Sequence, residues 1–320
     1  MTILAAGVDR GPLLLLTPAQ LAAQLDAHRQ WLLSLERGDG VAGLGPASLR
    51  ACNMKRAQIR DADLRFADFG RACLADADLS GANLANAYLF RCDLSGARLR
   101  QANLRKSLLI CADLQRADLD QASLEKADLE EANFRQASLC GTDLRKANLE
   151  AACFERARLD RAHMRKVHLV SGSFERASLI GADLGEADLR RADLRRSDLT
   201  RAVLTRTTLA GARLYHAKLD NADLSGADLS RAVGFSASFH SARLADTDLR
   251  GAELSAADFS GAVLAGARLA GADLQDADFA HAHLSGADLR GADLRKARNL
   301  TRLQVAAAIT DAATRLPPSL

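Results

Sequence analysis

Ala77 to Leu84 reads ADLSGANL, and Ala112 to Leu119 reads ADLQRADL. Each stretch is two copies of one unit, A-(D/N)-L-x-x, and the looser DTDLRGAEL from Asp246 to Leu254 keeps the same register. Working outward, a leucine or close substitute recurs at every fifth position from Leu49 to Leu294, typically with alanine two residues before it, and no insertion breaks the count. That makes about 50 tandem units.

A five-residue period suits neither regular element. On an α-helix each step turns roughly 140°, so the leucines would scatter around the axis. In a plain strand an odd step would send successive leucines to opposite faces. All of them can point inward only if alanine, Asp/Asn and leucine form a short extended side, in-out-in, and the next two residues turn a corner. Four such sides close a coil of about twenty residues, and coils stack because each exposes unpaired backbone groups above and below. Between Ala47 and Ala313 there is no proline, as expected where backbone N–H groups are needed by adjacent coils.

This pattern resembles the pentapeptide-repeat family over roughly 250 residues. The resemblance implies an all-β solenoid, a right-handed quadrilateral β-helix. At a strand spacing of about 4.8 Å the count gives roughly 12 coils and a length on the order of 60 Å. The organisation expected is an N-terminal segment with a capping or packing helix over 1–45, the β-helix over 46–298, and a C-terminal capping helix and tail over 299–320.

The two ends leave the five-residue beat. Thr17-Pro18-Ala19-Gln20 is a helix start, with a Thr cap, proline in the first turn and glutamine three residues on. Leu21, Leu25, His28, Leu32 and Leu35 mark one face, and Gly38-Asp39-Gly40 stops the helix. At the other end Leu300, Thr301, Ala308, Asp311, Thr314, Leu316 and Pro317 match a tail that follows the repeats in family members, with Gln304 and Val305 one place early. Both ends should cap exposed strand edges. Resemblance to some members also implies a homodimer through the terminal helix.

The chain is 26% charged and 4% aromatic, with a net charge of +3 and a mean hydropathy of −0.09. These values fit a repeat protein with an aliphatic core. No stretch approaches transmembrane length, and the Leu13 to Leu16 run is too short for a signal-peptide core, so a cytoplasmic protein without membrane insertion is expected. By register Cys52 and Cys92 point inward, whereas Cys73, Cys111, Cys140 and Cys153 point outward. Cys73 and Cys153 share a face but sit four coils apart, so all six are expected as free thiols.

No catalytic constellation emerges, and neither an enzyme nor a cofactor is expected. Aspartate recurs at the outward position, where a short carboxylate can accept from nearby corner N–H groups. His163, His168, His281 and His283 lack the Cys or carboxylate cluster that would complete a metal site. Phe134, Phe154 and Phe174 fall on consecutive coils as an inward ladder. In RAVGFSASF, Arg231 to Phe239, glycine takes the leucine site at 234, and the reading is a compensated bulge that turns Phe235 inward.

Equivalent positions recur every twenty residues, so the exterior can be read in columns. Arg105-Lys106, Glu125-Lys126, Arg145-Lys146 and Arg165-Lys166 stack as seven positive charges and one negative. Two readings stand: a band that favours an acidic partner, or a solvated face compensated by Glu130, Glu131 and Glu150. Beside it Tyr88 and Phe90, then Leu108 and Ile110 one coil above, form an outward apolar patch. The N-terminal helix with Trp31 is the first candidate to cover it; otherwise it is a partner site or dimer contact.

The leading functional expectation is a noncatalytic scaffold that binds a protein partner through its exterior. The resemblance also implies a nucleic-acid mimic that occupies the DNA site of a type II topoisomerase and confers quinolone protection. Such mimics need an acidic exterior and commonly carry loops, and this chain has a basic band and no loop. Direct nucleic-acid binding by the band is disfavoured, because the charge excess is small and no exposed aromatics interleave it.

Overall fold

The computed structural model describes residues 14–37, 47–318 and 320. They fall into two compact units, one up to Asn148 and one from Leu149.

The five-residue unit closes its own backbone accounts, as the pentad around Asp193 shows. The Ala192 N–H donates across the corner to Leu189 O (3.0 Å), Asp193 N–H to Gly172 O on the coil before (2.9 Å), and Leu194 N–H to Arg213 O on the coil after (2.8 Å). Arg196 N–H also donates onward, to Tyr215 O (2.9 Å). Only the Arg195 N–H lacks a backbone acceptor, and Asp193 Oδ1 takes it at 3.2 Å. The same Asx contact recurs at Asp78 to Ser80, Asp118 to Asp120 and Asp228 to Ser230. This explains the D/N of the repeat: a short side chain with an acceptor two atoms from Cβ satisfies the one orphan donor per side.

Every fifth residue from Ala51 to Lys296 has a positive φ, between 51° and 70°. It is the third residue of a turn closed by a hydrogen bond such as Ala77 N–H to Leu74 O (3.0 Å), with φ positive at that position alone, which is type II geometry. Twelve of these corners carry glycine; the rest hold side chains in a region that favours glycine, and the ladder on both sides keeps them there. The sides themselves are extended only briefly, and single parallel bridges such as Asp68 to Tyr88 and Asp193 to Arg213 link residues twenty apart.

Inside each unit the leucines and alanines are almost wholly buried, and each leucine contributes roughly 1.5–3 kcal/mol by leaving water. Where Thr207 or Ser107 replaces alanine, its hydroxyl donates to a main-chain carbonyl, Leu184 O or Leu104 O. In the second unit Phe154 and Phe174 stack at 4.9 Å, and Phe239, Phe259 and Phe279 form another ladder at 5.0 and 5.4 Å. Phe134 is buried in the first unit.

The expected bulge at Gly234 does not form. Gly234 N–H keeps its ladder bond to Glu253 O (2.7 Å), Leu214 N–H keeps Val233 O (2.7 Å), and Ser236 keeps the positive φ of its corner. Phe235 is therefore a corner residue, 48% exposed, with its ring edge-on to His216 at 6.0 Å. Space left by the missing leucine is taken up by neighbours: a Cβ at 234 would lie 3.0 Å from Leu254 Cδ2. Filling from the coil above costs less than breaking the ladder.

At the N-terminal end, β1 (Leu14–Leu15) pairs in parallel with β2 (Cys52–Asn53) and supplies the strand that the first coil lacks. Helix α1 (Pro18–Arg37) follows. Its capping box is complete: Thr17 N–H donates to Gln20 Oε1 (2.8 Å) and Gln20 N–H to Thr17 Oγ1 (3.2 Å). His28 and Leu32 are buried, Leu21 and Leu25 half-buried; the side chain of Leu35 and Gly38-Asp39-Gly40 lie outside the described residues. Trp31 packs edge-on to Phe66 at 6.1 Å, so the helix sits one coil short of the Tyr88 patch.

At the C-terminal end, α2 (Arg302–Ala307) is capped by Thr301 with Gln304 in a second capping box. Gln304 Nε2 also donates to Phe279 O (2.8 Å) and Ala282 O (2.9 Å), carbonyls of the last coils. Beyond it the tail continues the ladder, with Leu289 N–H to Ile309 O (2.8 Å) and Leu294 N–H to Arg315 O (2.7 Å). Asp311 accepts from Gly291 N–H, and the Thr314 hydroxyl donates to Leu289 O. Gln304 stands three residues after Thr301, the capping-box spacing, so it is the third residue of this short helix and the expected displacement is absent.

Candidate functional site

The apolar patch lies in the first unit and is uncovered among the described residues. Tyr88 is 50% exposed, Phe90 and Leu108 are each 36% exposed, and Ile110 is half-buried. Tyr88 and Leu108 are bridge partners on one side, and Arg91 N–H donates to Ile110 O at the next corner. Register alone puts these side chains outward, because positions 88 and 108 take the Asp/Asn slot and 90 and 110 the first corner slot. The expected cover by α1 does not occur, since His28 and Trp31 are committed to Ala47 and Phe66. The Arg91 guanidinium lies 5.1 Å from the Phe90 ring centre and adds a cation to the patch edge.

The basic residues next to it are mostly neutralised. Arg105 pairs with Glu125 at 2.8 Å, and Lys126 approaches the same carboxylate at 3.6 Å. Arg145 makes a bidentate contact with Asp143 at 2.8 and 2.7 Å, which holds the guanidinium pKa above its ordinary value. In the second unit Arg165 and Lys166 share Glu186, at 2.5 and 3.2 Å. Hydrogen bonds from Lys166 first and Arg165 next hold the Glu186 carboxyl below its usual range. Lys106 and Lys146 alone among these cations make no ion pair with a described residue. Compensation thus comes from Glu125, Asp143 and Glu186, whereas Glu131 meets Cys111 and Glu150 meets His168.

One local clamp was not read from the sequence. Where Arg follows Asp by two residues, the carboxylate that takes the corner N–H also receives the guanidinium. Arg190 on Asp188, Arg250 on Asp248, Arg290 on Asp288 and Arg295 on Asp293 repeat it, with closest contacts of 2.6–2.7 Å. Each of these carboxyls is held below the usual range, first by the arginine side-chain hydrogen bond. The D-L-R spelling is the signal that finds it.

Among the described residues no group of three His, Cys, Asp or Glu side chains could hold a metal ion. His168 lies between Glu150 and Asp188, 3.5 Å from each. Cys52 and Cys92 are buried and the other four cysteines half-buried; burial pushes the Cys52 thiol up, and burial followed by the Glu131 carboxylate pushes Cys111 up, so neither is an activated nucleophile. Among the described residues no helix is long and apolar enough to cross a membrane. The second unit also carries an arginine-rich face, with Tyr215, His216 and Phe235 exposed or half-buried beside it, which lies outside the Arg105 to Lys166 column.

Among solved structures the chain is similar to HetL, a pentapeptide repeat protein involved in heterocyst differentiation regulation from the cyanobacterium Nostoc sp. strain PCC 7120. Identity is 33% over 75% of this chain and 92% of that one, with a TM-score of 0.24. It is also similar to full-length QnrB1, a plasmid-mediated fluoroquinolone resistance protein, at 18% identity over 64% of this chain and 92% of that one, TM-score 0.30. A third is AT2G44920 from the Arabidopsis thaliana thylakoid lumen, at 29% identity over 33% and 70%, TM-score 0.22. A comparison with curated proteins found no match. The pentapeptide-repeat model matches in 8 copies over residues 47–81, 87–125, 122–161, 157–196, 197–233, 236–276 and 272–304. With those matches tiling most of its length, the chain belongs to the pentapeptide-repeat family.

Proposed function

We propose that this protein is a noncatalytic scaffold that docks a protein partner on the first unit through Tyr88, Phe90, Leu108 and Ile110. The observation that carries the reading is the clustering of three exposed bulky apolar groups, Tyr88, Phe90 and Leu108, with half-buried Ile110 beside them. Leucine and alanine are consumed by the core, so an apolar side chain in an outward slot serves no folding role that the repeat requires. Lys106 and Lys146, exposed on the adjoining corner and without an ion pair among the described residues, favour a partner with carboxylates at the rim of its apolar contact. Capture experiments with Leu108→Asp test it: a partner bound through this face is lost while the melting temperature stays put.

A second reading rests on the other end. Helix α2 buries none of its residues, Leu303 is 84% exposed and Ile309 50% exposed, which supports self-association through the C-terminal segment. Sedimentation of the wild type against Leu303→Glu separates the two, because only end-to-end dimers respond to the change. The topoisomerase-mimic reading has less support, since the net charge is +3 and the corners are rich in arginine. A gyrase supercoiling assay that is unaffected at micromolar protein removes it.

A further inference from the structure

The second unit carries a face on which a group of aromatic side chains lies beside several arginines. It spans three successive coils, linked on that side by the parallel bridges Asp193 to Arg213 and Arg213 to Val233. On the first coil Arg190 and Arg191 stand at one corner and Arg195 and Arg196 at the next. The second presents Ala210 and Gly211 at the same corner, then Arg213, Tyr215 and His216, and the third Arg231, Val233 and Phe235. The small pair at 210 and 211 leaves a hollow of about 670 Å³ between Arg190, Arg191, Arg231 and Arg250. A neighbouring hollow of about 330 Å³ is lined by Arg195, Arg196, Arg213, Tyr215 and His216 together with Glu175.

The charges differ from those of the Arg105 to Lys166 band. Arg191, Arg196 and Arg231 are exposed and make no ion pair with a described residue. Arg213 shares Asp193 with Arg195, at 3.4 against 2.6 Å, so its fork is only weakly held. Arg190, Arg195 and Arg250 are pinned by Asp188, Asp193 and Asp248, which fixes where their remaining donors point. Beside these cations Phe235 is 48% exposed and meets His216 edge-on at 6.0 Å, so an aromatic face is open to solvent. No lysine occupies this side. Planar guanidinium forks match phosphate oxygens in pairs, and an open ring stacks on a flat base.

We propose that this face binds single-stranded nucleic acid, with Arg191, Arg196, Arg213 and Arg231 on backbone phosphates and Phe235 and His216 against unstacked bases. A duplex keeps its base faces covered and offers nothing to Phe235. An acidic peptide would engage the forks and leave the rings idle. The site is distinct from the Arg105 to Lys166 band and independent of the partner face at Tyr88.

The test is fluorescence anisotropy of a labelled 20-nucleotide oligothymidine with the full chain, beside a duplex of the same length and polyglutamate as competitor, at two salt concentrations. Single-strand binding is expected, and the duplex and polyglutamate should compete with it poorly. Phe235→Ala weakens it about tenfold, the loss of one stacked base. Arg191→Gln, Arg196→Gln and Arg231→Gln together flatten the salt dependence by a slope of about 2. Lys146→Gln changes neither. All these positions are exposed corners, and unchanged melting temperatures show that the fold is kept. Absence of binding, equal affinity for duplex with no effect of Phe235→Ala, or full competition by polyglutamate overturns the proposal.

Discussion

His28 Nδ1 accepts a hydrogen bond of 3.1 Å from the backbone N–H of Ala47, which ties α1 to the start of the first coil. That bond needs a neutral ring with its proton on Nε2, and Nε2 is buried without an acceptor in hydrogen-bonding geometry. Burial lowers the His28 pKa below that of an ordinary imidazole; the Asp63 carboxylate and the Arg65 carbonyl oppose the shift without cancelling it. A lowered histidine pKa stabilises the docked state above the unfolded value, about 6.5, and the contribution is lost as pH falls through the folded value. Trp31, the single tryptophan, lies 5.5 Å from His28, so its emission should change on acidification below about pH 6.5. The same titration of His28→Leu should be flat. A wild-type signal that does not move with pH contradicts the assignment.

Asp248 is 5% exposed and accepts from the Arg250 N–H (3.1 Å) while contacting the Arg250 and Arg268 guanidinium groups. Asp248→Ala leaves the Arg250 N–H without its acceptor and should cost about 1–3 kcal/mol. Asp248→Asn keeps the oxygen and should cost less, in line with the D/N alternation of the repeat. Because Arg250 first and the corner N–H later hold the carboxyl below its usual range despite burial, this stabilisation is present above about pH 4 and lost as pH falls below it. Denaturant midpoints of the two variants, compared at neutral pH, decide the order.

Gly271 has φ of +69° and nothing within 4 Å of where a Cβ would stand. Gly271→Ala therefore isolates the backbone cost of a non-glycine corner, expected at about 1 kcal/mol, and Gly271→Asn should cost less. An alanine variant as stable as the wild type would mean that the ladder does not hold this φ.

Phe259 is sandwiched between Phe239 and Phe279. Phe259→Ala should cost about 3–5 kcal/mol through the cavity it leaves, whereas Phe259→Leu, which restores the commoner residue of the slot, should cost less than about 1.5 kcal/mol. Thermal melting of both variants checks the ratio.

The inward slots were legible because leucine at every fifth position has one geometric solution, and the Asx role of aspartate followed from the same register. The helix starts at Thr17 and Thr301 were legible because capping chemistry is local. What escaped depends on partners a sequence does not pair. Glu186 neutralises Arg165 from the next coil, twenty-one residues away, while the nearer Glu130, Glu131 and Glu150 were the expected compensation. The contact of Trp31 with Phe66 depends on where a helix lands, which its apolar stripe leaves open. Glycine in the leucine site at 234 points to a compensated bulge with Phe235 inward, whereas the intact hydrogen bonds of Gly234 keep Phe235 at a corner. The arginine face was not legible because it draws on two corners and three coils, so no single twenty-residue column shows it.

Tyr88, Phe90, Leu108 and Ile110 are proposed to dock a protein partner and not to support the fold. The direct measurement is quantitative capture from the native cell with wild type and with the Leu108→Asp, Ile110→Asp double variant, each with its melting curve. The expected result is an unchanged melting temperature and the loss of a discrete protein that the wild type retains and whose capture Lys146→Glu weakens. Identical captured proteins, or a double variant that unfolds, would contradict it.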